Sequence, residues 1–159
     1  MESHDHTACI HGALAKAERL CAERGVRLTP TRRQVLQLVF ESHQAAKAYD
    51  LLDRLKPTLK GATPMTVYRA LQFLQDQGLV HRVETLNAYV GCTHEGSHHP
   101  DTLVMLICER CQQIEERSIP ALRLVLREAM AQCGFERHRE TLEVYGACQS
   151  CQATPALPH

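Results

Sequence analysis

The chain has 159 residues, and its 18 Lys+Arg are matched by 18 Asp+Glu, so the formal charge is zero while 44% of the residues are hydrophobic. That length supports one medium domain or two small ones, and the apolar content excludes an extended disordered chain. Zero charge argues against nucleic-acid binding by bulk attraction, yet residues 1–84 hold 12 Lys+Arg against 9 Asp+Glu, a net of +3, and residues 85–159 hold 6 against 9, a net of −3.

A mildly basic first half and a mildly acidic second half predict two tasks. No N-terminal apolar run resembles a signal peptide, because Met1–Thr7 is polar, and no stretch approaches the roughly 18 apolar residues of a membrane span. The expectation is a cytoplasmic protein without a membrane partner. In that compartment clustered cysteine means metal more often than disulfide, and eight Cys with ten His are many for this length.

Residues 8–24 have helical spacing, with Ala8, Leu14, Ala17, Leu20 and Cys21 as the buried stripe and Gly25 as the stop. Thr29-Pro30 is a helix start, and Val35, Leu36, Val39 and Phe40 give the next helix one buried face. A third helix fits Ala48–Leu55. A fourth begins at Thr63-Pro64, buries Val67, Ala70, Leu71 and Leu74, and ends before Gly78. It leaves Met65, Thr66, Arg69 and Gln72 outward, with Tyr68 at the border. Leu79–Glu84 and Ala88–Cys92 alternate and are joined by Thr85-Leu86-Asn87, which reads as a β-hairpin. Helices followed by a small hairpin in a basic segment is the order of a winged helix-turn-helix.

Residues 93–102 contain no core residue and read as a linker. Leu103–Cys108 is a buried strand with Gln112–Glu116 as a candidate partner. Pro120 opens a helix whose apolar set is Leu122, Val125, Leu126, Ala129 and Met130, and Gly134 closes it. Thr141–Tyr145 alternates again, with Leu142 and Val144 on one face, and Ala153–His159 is a loose tail.

Two CxxC pairs, Cys108/Cys111 and Cys148/Cys151, can present four thiolates to one tetrahedral Zn²⁺ with no open position, which makes a structural site. The alternative is two unrelated thiol pairs, or one redox CxxC. A second cluster gathers His81 and Cys92 on the hairpin, His94, His98, His99 and Asp101 in the linker, and Glu115 and Glu116 beyond it. A mixed N/S/O set suits Zn²⁺. Drawn from both halves, it would restrain one against the other, as a sensor requires; the alternative is solvated linker histidines plus one buried cysteine. His4, His6, Cys9 and His11 read as a disordered polar tail, with loose metal binding as the alternative. Cys21 and Cys133 read as core residues, His43 as a helix-end residue, and His138 stays ambiguous.

Arg27-Leu-Thr-Pro-Thr-Arg32, Thr66-Val-Tyr-Arg69-Ala-Leu, Gly78-Leu-Val-His81, Cys108-x-x-Cys111 and Tyr145-Gly-x-Cys148-x-x-Cys151 occur in that order along nearly the whole chain. Together they resemble the Fur family of bacterial metalloregulators. The resemblance implies an α+β fold: an N-terminal winged helix-turn-helix DNA-binding domain (1–92), a hinge linker (93–102) and a C-terminal α/β dimerisation domain (103–152) with the four-cysteine structural zinc, leaving a tail at 153–159. It implies that Tyr68 and Arg69 touch DNA, supported by Tyr49.

Iron sensors of that family carry an HHxHxxC run directly before the first CxxC, whereas here six residues separate Asp101 from Cys108. The thiolate at Cys92 looks like the zinc-responsive branch and implies regulatory ligands His81, Cys92, His99 and Glu116, with His98 as the alternative to His99. A further family metal site would involve His99, Asp101, Glu116 and His138. The function implied is a homodimeric, zinc-dependent repressor of zinc-uptake genes that binds double-stranded operator DNA, with two zinc ions per chain, one structural and one regulatory. It is not an enzyme, and metal is its only small ligand. The alternatives are an iron- or manganese-responsive member of the family and, in another class, a zinc hydrolase or thiol redox enzyme. The sequence offers the latter neither an HExxH nor another source of a general base.

Overall fold

The computed structural model describes residues 6–41, 44–93, 103–136, 140 and 142–153. The chain forms two compact units, Met1–Ser97 and His98–His159. The expectations placed on His4, His43, His94, His98, His99, Asp101 and His138 lie outside the described residues.

The first unit runs α1 (His6–Glu23), α2 (Pro30–Phe40), α3 (Ala48–Leu55), α4 (Pro64–Asp76), β1 (Val80–Val83) and β2 (Ala88–Gly91). Helix starts and stops follow local chemistry. The Thr29 side chain accepts from the Arg32 N–H at the head of α2, and Thr63 and Thr66 form a reciprocal capping box at the head of α4, each followed or flanked by Pro at the first helical turn. Gly25 and Gly78 take the left-handed conformation past α1 and α4, and the Val26 and Leu79 N–H groups donate back to Cys21 and Leu74 carbonyls. Leu14, Ala17, Leu20 and Cys21 of α1 join Val35, Leu36 and Val39 of α2, Leu51, Leu52 and Leu55 of α3, and Val67, Ala70, Leu71 and Leu74 of α4 in one core. α1 begins at His6, so Cys9 and His11 are helical and Cys9 packs against that core. The polar-tail expectation for them is corrected: once α1 nucleates on its apolar stripe, its first turns are carried along.

β1 and β2 pair antiparallel from Val80↔Gly91 to Val83↔Ala88, and an isolated bridge joins Ala46 to Tyr89. Asn87 takes a left-handed turn conformation at the hairpin tip, where its side chain accepts from Arg82.

The second unit holds β3 (Leu103–Cys108), β4 (Ile114–Ser118), α5 (Pro120–Gln132), β5 (Leu142–Gly146) and α6 (Gln149–Ala153). Its sheet has the order β4-β3-β5, with β4 antiparallel and β5 parallel to the central strand. β4 starts two residues later than the sequence reading because Gln112, in a left-handed conformation, and Gln113 complete the turn. Ala153 ends a short helix instead of opening a tail.

Two core expectations fail here. Cys133 is exposed at the end of α5, because the left-handed Gly134 ends the helix beside it. No residue of α5 is fully buried, and Leu124, Val125 and Val144 are more than half exposed. The apolar residues of α5 spread over two faces, of which the chain covers only the Leu122, Leu126 and Met130 side in part.

Candidate metal centres and nucleic-acid interface

The four-cysteine cluster is a consequence of strand register. β3 ends at Cys108, and parallel pairing sets Cys108 opposite Gly146. The Glu109 N–H then donates to the Gly146 carbonyl at 2.8 Å, so the chain beyond β5 emerges beside the β3–β4 turn. Cys148 lies two residues further on. Cys151 follows on α6, its 149–153 turn supported by the Gln152 N–H donating to the Cys148 carbonyl. One sulfur atom from each of Cys108, Cys111, Cys148 and Cys151 lies within 4.8 Å of all the others.

The Cys111 and Cys148 sulfurs are 3.8 Å apart. A disulfide requires about 2.05 Å. Four sulfurs about 2.3 Å from a tetrahedral zinc stand about 3.8 Å from one another, so the observed spacing fits that ion. Backbone N–H donors bias two of the four, Cys108 and Cys148, toward thiolate. Hydrogen bonds from the Cys148 and Cys111 N–H groups lower the Cys108 thiol to about 6, and the Cys151 N–H lowers Cys148. Hydrogen bonding to Cys148, with burial, pushes Cys151 up to about 12. The Gln113 N–H lowers Cys111, but its hydrogen bond with Cys108 and burial outweigh that and raise it.

The hairpin brings together a second pair. His81 stands opposite Val90 on β2, and opposed residues of an antiparallel pair project to the same face. Cys92 is two residues beyond Val90 and therefore returns to that face, held by its N–H donating to the Leu79 carbonyl at 3.0 Å. A His81 ring nitrogen and the Cys92 sulfur lie within 4.8 Å of each other. Cys92 is buried and His81 half-buried. An imidazole with a thiolate is a borderline-soft donor set that suits Zn²⁺ and disfavours hard cations. Glu116 sits on β4 opposite Met105 and is half-buried.

Sequence reasoning missed Lys16, whose Nζ lies 3.8 Å from the Cys92 sulfur. It reads as one more polar position of an amphipathic helix, and nothing local to α1 announces a neighbour 76 residues away. The Arg32 guanidinium over the Phe73 ring, 3.6 Å from its centroid, was equally silent; it ties α2 to α4.

α4 offers the nucleic-acid face. With Val67, Ala70, Leu71 and Leu74 buried, Tyr68 and Arg69 are exposed on the opposite side, and Tyr49 is exposed on α3. The capped, Pro-initiated N-terminus of α4 adds the positive end of a helix dipole, which favours phosphate. Among the described residues, no helix is long and apolar enough to cross a membrane.

The zinc uptake regulation protein of Escherichia coli (strain K12) is 42% identical over 146 residues, covering 92% of this chain and 85% of that protein. A zinc uptake regulator solved in complex with zinc and DNA superposes with a TM-score of 0.85 at 40% identity, covering 91% of this chain and 95% of that one. Holo XcZur gives 0.81 at 40% identity, covering 89% and 97%. The profile of the ferric uptake regulator family matches residues 23–145. This chain thus belongs to the ferric uptake regulator family, whose members are transcription regulators and not enzymes.

Proposed function

We propose that the protein is a zinc-responsive transcriptional repressor. It acts in the cytoplasm as a homodimer, binds operator DNA when zinc-loaded and represses zinc-uptake genes. The observation that carries this reading is the His81–Cys92 pair on one face of the hairpin, in a chain about 40% identical to zinc uptake regulators over nine-tenths of its length.

Each chain holds two zinc ions. Cys108, Cys111, Cys148 and Cys151 hold the structural one. His81, Cys92, His99 and Glu116 hold the regulatory one, with His98 as the alternative to His99. Bound zinc supplies a tetrahedral cross-link among N, S and O donors and no chemistry of its own. Tyr68 and Arg69 of α4, helped by Tyr49 of α3, contact DNA. The Arg69 fork presents two parallel donors of the kind that guanine accepts in the major groove, and the tyrosines supply apolar area with a polar tip. Homodimerisation covers the apolar surface that Leu124, Val125 and Val144 expose in the single chain.

The test is operator binding followed by fluorescence anisotropy at buffered free zinc. Wild-type affinity is expected to rise with zinc, and Cys92→Ala and His81→Ala proteins are expected to lose that rise. Full zinc-dependent binding by both variants would overturn the sensor assignment.

A further inference from the structure

In the first unit, the large apolar side chains left exposed among the described residues are Tyr49, Met65 and Tyr68. Two of these are the tyrosines assigned above to DNA. Met65 has no such assignment, yet it is 57% exposed at the second position of α4. A lone exposed methionine is ordinary on a protein surface; the place of this one is not. It lies four residues before Arg69 and therefore on the same face of the helix. Thr63, Pro64 and Thr66 cap the helix end that carries it, so its backbone is held in the first turn. The N-terminal residues of a recognition helix are those that reach base edges.

In the major groove the apolar feature of a base edge is the 5-methyl group of thymine. An unbranched, polarizable thioether adapts well to so small a target. Four residues of α-helix rise about 6 Å, against about 3.4 Å per base step, so the two side chains address positions one or two base pairs apart. We propose that Met65 is a specificity-determining residue that reads a thymine methyl one or two base pairs from the guanine read by Arg69. This rests on the DNA-binding reading given above.

The experiment uses the zinc-loaded full chain. Binding sites are first selected from a random duplex library. Each thymine of the selected half-site is then replaced in turn by deoxyuridine, which keeps the hydrogen-bonding edge and removes only the methyl. Wild type is expected to lose roughly three- to fivefold in affinity at one thymine, the worth of one buried methyl-sized contact. Met65→Ala is expected to bind the thymine and deoxyuridine forms equally at that position. If no thymine is methyl-sensitive, or if Met65→Ala keeps the same sensitivity, the proposal is overturned while DNA binding stands. If the zinc-loaded chain selects no sequence, the DNA-binding reading itself fails, and this one with it.

Discussion

The backbone N–H of Cys148 donates to the sulfur of Cys108 at 3.3 Å, across 40 residues of sequence. One residue of the second CxxC thus both offers its own thiol and stabilises the thiolate of the first. The β3–β5 ladder and the cysteine cluster therefore support each other. Cys148→Ser is expected to lower bound zinc by one ion per chain and to melt the second unit early, because free energy of structural zinc binding is free energy of folding. Elemental analysis with a thermal melt checks this; unchanged zinc content would sink the four-thiolate assignment.

Acid should act on that site in two stages. Zinc takes thiolates, so apparent affinity falls as pH falls, with a slope equal to the number of protons displaced. Near neutral pH Cys108, lowered to about 6, is already ionised in the metal-free chain and contributes nothing to the slope. Cys151, raised to about 12, contributes a full proton. Once pH drops through about 6, Cys108 must also give up a proton to bind metal, and the slope should steepen. Chelator competition from about pH 8 to pH 5 measures it, and a constant slope would contradict the Cys108 shift.

The fold of the first unit was legible in the sequence because its signals are local. Thr29-Pro30 and Thr63-Pro64 state where helices start, Gly25 and Gly78 where they stop, and the apolar spacing states which face turns inward. The His81–Cys92 pairing was legible too, through strand alternation and a short turn. The second unit was harder to read. Val125 and Val144 look like core residues by pattern, yet the chain leaves them exposed; an apolar stripe states that a residue will be covered, not by which copy of the chain. Lys16 beside Cys92, like Arg32 over Phe73, depends on tertiary packing with no periodic trace.

Dimerisation should therefore yield to a charge placed on the exposed side of α5. Val125 is 62% exposed in the single chain, so Val125→Asp leaves the monomer's packing intact. Burying an unpaired carboxylate at an interface costs several kcal/mol. Sedimentation should report monomers where wild type is dimeric, with the helix content unchanged. A dimer of wild-type strength would move the interface away from α5.

Arg69→Ala is expected to weaken binding to the selected operator by roughly 10- to 100-fold, as loss of a bidentate base contact does. The effect should shrink on duplexes in which its guanine is replaced. A uniform loss across all sequences, with a shallower salt dependence, would make Arg69 a phosphate contact instead.

Gly91 is closely packed against Phe40. A Cβ added at Gly91 would meet ring atoms of Phe40 at 2.4 Å. Phe40 is buried at the end of α2 and belongs to the core, so the ring has little room to retreat. Gly91 also closes the β1–β2 ladder opposite Val80, one residue before Cys92. Gly91→Ala should cost about 1–3 kcal/mol through overpacking, and the strand must lift off the helix to make room. Because Cys92 follows directly, the same shift should pull its sulfur away from His81. Lower thermal stability is thus expected together with reduced zinc response, while the zinc held by the four cysteines stays in place. Phe40→Leu in the Gly91→Ala background removes the ring atoms that clash and should restore part of both losses. If it restores neither, the contact with Phe40 is not what excludes a side chain at position 91.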